Sequence, residues 1–260
     1  MLNQITPVIL TYNEEANIAR VLDALEWAKD IVVVDSYSTD ETLRIIKSYP
    51  SVRTYQRKFD SHSEQWNYAI KETGILTDWV LALDADYVLT DKFIDEISVL
   101  ESSVIQAYSA SFRYCVFGKP LRGTLYTPVT VLYQRENAHY TQDGHTQRVN
   151  VSGLTSDLNE KILHDDRKPL LSWLQAQDRY MELEADVIYE AAFGELGLND
   201  RIRKLVFPAP PLTFVYCLVF KLGILDGWPG FFYAMQRTVA ELILSLKLIE
   251  RIVFKDVGKR

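Results

Sequence analysis

Short apolar runs alternate with helix-patterned stretches through the first 100 residues, and each run stops beside a polar residue. Ile5–Leu10, Ile31–Val34, Val52–Tyr55 and Trp79–Leu83 read as strands. Residues 14–27, 42–48, 65–72 and 91–100 read as the helices that follow them. Near-continuous apolar strands separated by helices predict an α/β fold with a mostly parallel sheet covered on both faces. Asn13 is placed to cap the first helix, with Glu14 and Glu15 at the positive end of its dipole. Ser38 with Glu41, and Ser61 with Glu64, have capping-box spacing, and Gly74 is a stop for the third helix. Ligands of such sheets bind beyond the carboxyl ends of the strands. Thr11-Tyr12-Asn13, Asp35, Asp84 and Asp86 all fall there.

The character changes after residue 106. Tyr108–Phe117, Val129–Tyr133, Arg148–Val151 and Lys161–Leu163 are strand candidates of a mixed second half, and residues 170–193 read as a long helix. Leu205–Phe220 carries no charge, but Pro208, Pro210 and Pro211 interrupt it, and it falls short of the ~20 residues of a spanning helix. Gly227–Gly230 reads as a turn, and 231–249 as a further helix. Three regions are therefore expected: 1–105, 106–200 and a helical tail over 201–260.

Charge supports that division. The tail holds ten Lys/Arg against four Asp/Glu, a net +6, which leaves −13 on the first 200 residues out of the overall −7. An acidic body argues against a general nucleic-acid binder. Apolar and aromatic residues edged by Lys247, Arg251, Lys255, Lys259 and Arg260 fit an element lying on an anionic membrane surface. The competing reading is a helical tail packed on the body or forming a homo-oligomer interface. Cys115 and Cys217, far apart, form no disulfide framework or zinc pattern, and the first residues lack a basic leader. A cytoplasmic protein attached peripherally to the inner face of the cytoplasmic membrane is the expected setting.

Asp84-Ala85-Asp86 is the most informative short motif. Two carboxylates at a strand end suit Mg²⁺ or Mn²⁺, which prefer oxygen ligands and are completed by substrate phosphates. The plainer reading is a solvated turn. Asp35 is suited to a base or ribose hydroxyl, or to capping the next helix through its side chain. Neither a P-loop nor a dinucleotide-binding glycine fingerprint is present, so phosphate charge must be met by metal and by Lys/Arg. Asp143-Gly144-His145 offers two candidate bases, Asp143 and His145, or simply a tight turn. His164 is a candidate imidazole ligand or a structural histidine, and Arg167 and Lys168 beside it are candidates for phosphate.

Pro7–Glu15, then Val32–Ser36 with Ser38–Thr42, then Leu83–Asp86 resemble the motifs of family 2 glycosyltransferases, in order and in spacing. The later segments around Gly144–Val149 and His164, with the aromatic tail, are similar to the branch of lipopolysaccharide-core and cell-surface glycan glucosyltransferases. The resemblance implies a GT-A fold with a Rossmann-like nucleotide half. It implies a nucleotide-diphosphate sugar donor, with UDP-hexose favoured, and inversion at the anomeric carbon. Carried over by position, Thr11, Tyr12 and Glu14 border the nucleotide, and Asp35 reads the base or ribose. Asp84 lies near the ribose or metal, Asp86 binds the metal, and His164 adds a ligand. The implied acceptor is a lipid-linked or cell-envelope glycan. Two departures matter. Asp35-Ser36 stands where the family often has two aspartates, and Thr146-Gln147 where many relatives have His-Glu, which shifts the base to Asp143, to His145 or to a residue elsewhere. Three other readings stay open: a soluble transferase for a protein or small acceptor, a nucleotidyltransferase, and a non-catalytic nucleotide-sugar binder.

Overall fold

The structure is a computed structural model that describes residues 1–101, 104–143 and 146–257. The chain divides into two compact units. One comprises Met1–Pro120 with Tyr126–Arg167, and the other Leu121–Leu125 with Lys168–Arg260.

The first unit is built on a mixed sheet. Its strands are β1 (Ile5–Thr11), β2 (Ile31–Asp35), β3 (Val52–Gln56), β4 (Trp79–Asp84), β5 (Tyr87–Val88), β6 (Ile105–Val116), β7 (Lys119–Pro120), β8 (Val129–Gln134) and, after a separate ribbon, β11 (Leu154–His164). The order is β3-β2-β1-β4-β8-β6-β11-β5, with β7 paired to β6. β3, β2, β1 and β4 are parallel, as the alternation predicts, and β8 runs antiparallel to both β4 and β6. Side chains alternate between faces at the strand period of two. Ile5, Ile9, Ile31, Val33, Trp79, Leu81 and Leu83 meet the helices α1 (Ile18–Asp23), α2 (Thr42–Ile46) and α4 (Asp91–Ser98). Val8, Val32, Val34, Val80 and Ala82 meet Trp66, Ala69 and Ile70 of α3 (His62–Lys71). Burial on both faces explains why these strands read as apolar runs.

Local signals held in part. Ser61 caps α3, its hydroxyl accepting from the Glu64 N–H at 3.2 Å, and Gly74 follows in the left-handed region at φ +65°. Asn13 and Ser38 do not cap helices. The first helix begins only at Ile18, with Asn17 at its N-cap, and Glu41 precedes α2 without a side-chain cap. Both residues bond across the strand-end loops instead, as described below. β11 is far longer than the three residues expected. Much of it is exposed and polar, so no apolar alternation marks it, and it is aligned by parallel pairing with β6. Where its register slips between Asp157 and Lys161, the Glu96 carboxylate accepts from the N–H groups of Asn159 and Glu160, both at 2.8 Å.

β9 (Ala138–Asp143) and β10 (Thr146–Val151) form a separate two-stranded antiparallel ribbon. An isolated ribbon is marginal in water, and α3 supplies its support. The Tyr140 ring stacks on Trp66 at 5.4 Å. Asn67 acts as a surrogate strand neighbour: its amide donates to the Tyr140 carbonyl at 2.9 Å and accepts from the Tyr140 N–H at 3.0 Å.

The second unit is helical: α5 (Leu170–Glu190), α6 (Leu198–Lys204), α7 (Ala209–Val215), a π-helical turn (Tyr216–Phe220), a 3-10 turn (Gly223–Asp226) and α8 (Trp228–Val257). Trp228-Pro229-Gly230 is therefore the first turn of α8, where proline costs no hydrogen bond, and the expected turn is confined to Gly227 at φ +64°. Ala185 and Ile188 of α5 pack on Leu244 and Leu248 of α8. Lys247 pairs with Asp178 and Glu182, and Arg251 with Glu182 and Asp186, at 2.6–2.7 Å. Arg203 reaches Glu241, Glu184 and Asp200.

Asn67→Ala strands a buried N–H and C=O of the ribbon, each worth about 1–3 kcal/mol. Urea unfolding is expected to report a loss of about 2–4 kcal/mol, and a loss below about 0.5 kcal/mol contradicts the role given to Asn67.

Candidate active site

The strand ends carry the site. Asp35, the last residue of β2, is buried, and its carboxylate is enclosed by donors. Oδ1 accepts from the hydroxyls of Thr11, at 3.0 Å, and Ser38. Oδ2 accepts from the Ser38 N–H at 2.9 Å and from the Gln56 amide at 3.4 Å. Ser38 in turn accepts from the Asn13 N–H at 2.9 Å, and the Asn13 side chain, on a left-handed backbone at φ +53°, accepts from the Thr39 N–H at 2.8 Å. Glu14 N–H donates to Thr42 Oγ1 at 2.7 Å, and Glu15 N–H to Asp40 at 3.1 Å. Burial opposes ionisation of Asp40, but hydrogen bonds from Thr42 and from backbone N–H groups outweigh it and hold the carboxyl below its ordinary range. The loops after β1 and β2 are thus one hydrogen-bonded layer. Thr11 is buried within it, and Tyr12 stands exposed on it.

The second group of residues forms where β4 ends. Asp84 closes β4 in register with Leu10, the chain turns at Ala85-Asp86, and β5 lies antiparallel to the end of β11 with Tyr87 opposite His164. That pairing brings His164 Nε2 to 3.1 Å from Asp86 Oδ2. Burial disfavours the imidazolium, but Asp86, with Asp84 and Asp166, outweighs it and raises the His164 pKa. Burial, then the Asp84 and Asp86 charges, push the Tyr87 phenol well above its ordinary value. Tyr126, Tyr114 and Tyr87 surround the imidazole at 4.6, 5.0 and 5.1 Å between ring centres. His164 Nδ1 is buried with no hydrogen-bond partner among the described residues, so ring packing and the Asp86 contact at Nε2 set the imidazole's orientation.

These residues fit a cation only as part of a shared site. Among the described residues no group of three or more His, Cys, Asp or Glu is arranged to hold a metal. Two neighbouring ligands at about 2.1 Å from one octahedral ion lie about 3.0 Å apart, close to the Asp86–His164 separation. One carboxylate and one imidazole, completed by diphosphate oxygens and water, form a coherent donor set for Mg²⁺ or Mn²⁺.

Three positioning residues escaped the sequence reading. Asp165 is buried and accepts from Arg20 Nη1 at 2.6 Å, Arg167 Nε at 2.9 Å and the Gly118 N–H at 3.0 Å. Its own N–H donates to the Asp86 carbonyl at 3.0 Å. Asn17 links Glu14, Asp166 and the Arg167 N–H at 2.9 Å each, and accepts from Arg20 at 2.8 Å. This lock fastens the segment after β11 to α1. Its partners lie 145 to 150 residues apart, which no local pattern reports. Arg167, expected near phosphate, spends its guanidinium on Asp165. Asp143 ends β9 at the ribbon tip, and only its backbone is described. His145 lies outside the described residues.

Residues 6–105 match the Glycosyl transferase family 2 model. Residues 6–105 are a family 2 glycosyltransferase domain. The enzyme is 28% identical over 262 residues to the lipopolysaccharide core biosynthesis glycosyltransferase LpsC of Rhizobium meliloti (strain 1021), covering 95% of this chain and 92% of that one. An uncharacterized glycosyltransferase of Rickettsia typhi is 34% identical over 103 residues, 39% of this chain and 34% of its own length. The crystal structure of S. aureus TarS aligns over 93% of this chain and 54% of that one, with a TM-score of 0.50 and 16% identity, a likeness of fold. The glycosyltransferase thus has a GT-A-like α/β fold.

Asp165→Ala removes the buried carboxylate that Arg20 and Arg167 share while Arg20 keeps its bonds to Asn17 and to the residue-165 carbonyl, and loss of such charged hydrogen bonds costs about 1.5–3 kcal/mol. Chemical denaturation is expected to show that loss. A change under about 1 kcal/mol contradicts the lock.

Proposed function

We propose that the glycosyltransferase transfers a hexose, with inversion, from a UDP-sugar to a hydroxyl of a lipid-linked or cell-envelope glycan. The observation that carries this reading is the pairing of Asp86 with His164 just beyond Asp84 at the end of β4, with β1 and β2 ending in one hydrogen-bonded layer. The family of residues 6–105 supports a nucleotide-sugar donor, and similarity to LpsC along most of both chains supports a glycan acceptor.

In this reading Thr11, Tyr12 and Glu14 border the nucleotide. Asp35 shapes its pocket, and the long bond from Gln56 is the one a base or ribose hydroxyl would replace most readily. Asp84 faces the ribose side. Asp86 and His164 would hold a divalent cation, which would supply positive charge to the leaving diphosphate when bound. The acceptor hydroxyl oxygen bonds to the anomeric carbon on the face opposite the diphosphate. The carbon–oxygen bond to the diphosphate breaks, and its electron pair leaves with the nucleotide. The hydroxyl proton passes to Asp143, with His145 the alternative base. The enzyme works at the inner face of the cytoplasmic membrane, where the tail holds it near its acceptor.

A thermal-shift series tests the donor site. UDP-sugar with Mn²⁺ is expected to raise Tm, since a ligand at a hundred times its Kd adds about 2.7 kcal/mol. Asp86→Ala is expected to keep its fold and lose the metal-dependent part. An undiminished shift in that variant refutes the assignment. Asp143→Asn is expected to retain the UDP shift and lose about 10²–10⁴-fold in kcat. Unchanged turnover in Asp143→Asn moves the base to His145.

A further inference from the structure

The reading of the tail as a basic, membrane-facing edge meets an obstacle in the helical unit. Lys247 and Arg251 are both spent on the acidic ladder Asp178, Glu182 and Asp186 of α5. They are therefore unavailable to an anionic headgroup; Lys259, Arg260 and the Lys255 side chain lie outside the described residues. The apolar surface is elsewhere. Between Leu205 and Phe231 the chain turns a corner through α7, the π turn and the 3-10 turn. Its inward residues Ala209, Cys217 and Gly223 are buried. Its outward residues are large and bare: Phe207 is 81% exposed, Phe220 70%, Ile224 66% and Leu225 61%, with Val219 and Trp228 more than half exposed.

Two observations choose the occupant. From Leu205 to Leu225 the one charged side chain is Lys221, whose ammonium lies over the Tyr216 ring at 5.6 Å, and Asp226 just beyond is paired with Arg122. The surface therefore offers a hydrocarbon phase no unpaired acid. Its backbone is also irregular, passing from α to π to 3-10 within 18 residues, Ala209 to Asp226. A partner helix needs a regular stripe to interdigitate, and a fluid bilayer does not. No helix among the described residues is long and apolar enough to cross a membrane, so the contact is interfacial.

We propose that the Leu205–Phe231 corner inserts its apolar residues into the headgroup–acyl boundary of a bilayer, and that this contact, rather than attraction of basic residues to anionic lipid, attaches the enzyme. The proposal rests on the reading that the acceptor is membrane-borne, and it specifies how the enzyme reaches it. The corner is held rigid by close backbone approach: a Cβ on Gly230 would lie 1.9 Å from the Gly223 carbonyl oxygen.

Flotation of the full chain with vesicles of neutral phosphatidylcholine, in about 0.1 M and about 1 M salt, is the test, because high salt screens charge and spares apolar insertion. Equal flotation at both salts is expected. The double variant Phe220→Glu with Ile224→Glu, both exposed, is expected to float at least tenfold less. It should keep its helical circular dichroism and its UDP-dependent thermal shift. Flotation that requires phosphatidylglycerol and vanishes at high salt overturns the proposal. So does equal flotation of the variant, or failure to float with light scattering showing a dimer mediated by these residues. A chain that floats as expected but never responds to a UDP-sugar supports the attachment and refutes the donor reading alone.

Discussion

A carboxylate out of water is tolerated only when donors surround it. Asp35 meets that condition through Thr11, Ser38 and Gln56, and the demand of this one group fixes the loops at two strand ends. Because Thr11 belongs to β1 and Ser38 to the segment before α2, satisfying Asp35 draws the two crossovers together. Asn13 and Glu14 then bond to residues 25 to 28 positions away. The second half of the site depends on a comparable demand. Asp165 must be neutralised by Arg20 and Arg167, and in being so it seats His164 beside Asp86. Buried acids thus position both halves of the site.

That division explains what was legible in the sequence. β1 to β4 were readable because burial on two faces leaves an unbroken apolar run. Asp84 and Asp86 were readable because they follow such a run directly. The caps were misread at Asn13 and Ser38, since their side chains had a stronger claim on them from Asp35 and Thr39 than from the nearest helix. β11 was invisible over most of its length because its exposed polar residues carry no periodicity, and its alignment comes from β6. Asn17 and Arg20 could not have been found, because their importance resides in residues 165 to 167.

The helical unit teaches a related lesson about charge. Counting Lys and Arg gave the tail an excess of +6 and suggested an electrostatic surface. In the folded unit Lys247, Arg251 and Arg203 each sit against carboxylates. Net charge along a segment describes its long-range field, whereas contact with a surface depends on which groups remain unpaired after folding. Between Leu205 and Trp228 the large side chains left uncovered are aromatic and aliphatic.

The central claim is that Asp86 and His164 form an incomplete cation site that a nucleotide diphosphate completes. Electron paramagnetic resonance of Mn²⁺ titrated into the enzyme measures this directly, because free and bound ion differ in signal. The account predicts little bound Mn²⁺ with the enzyme alone, a large gain on adding UDP, and loss of that gain in Asp86→Ala. Binding of Mn²⁺ that ignores UDP, or that survives Asp86→Ala unchanged, would contradict it.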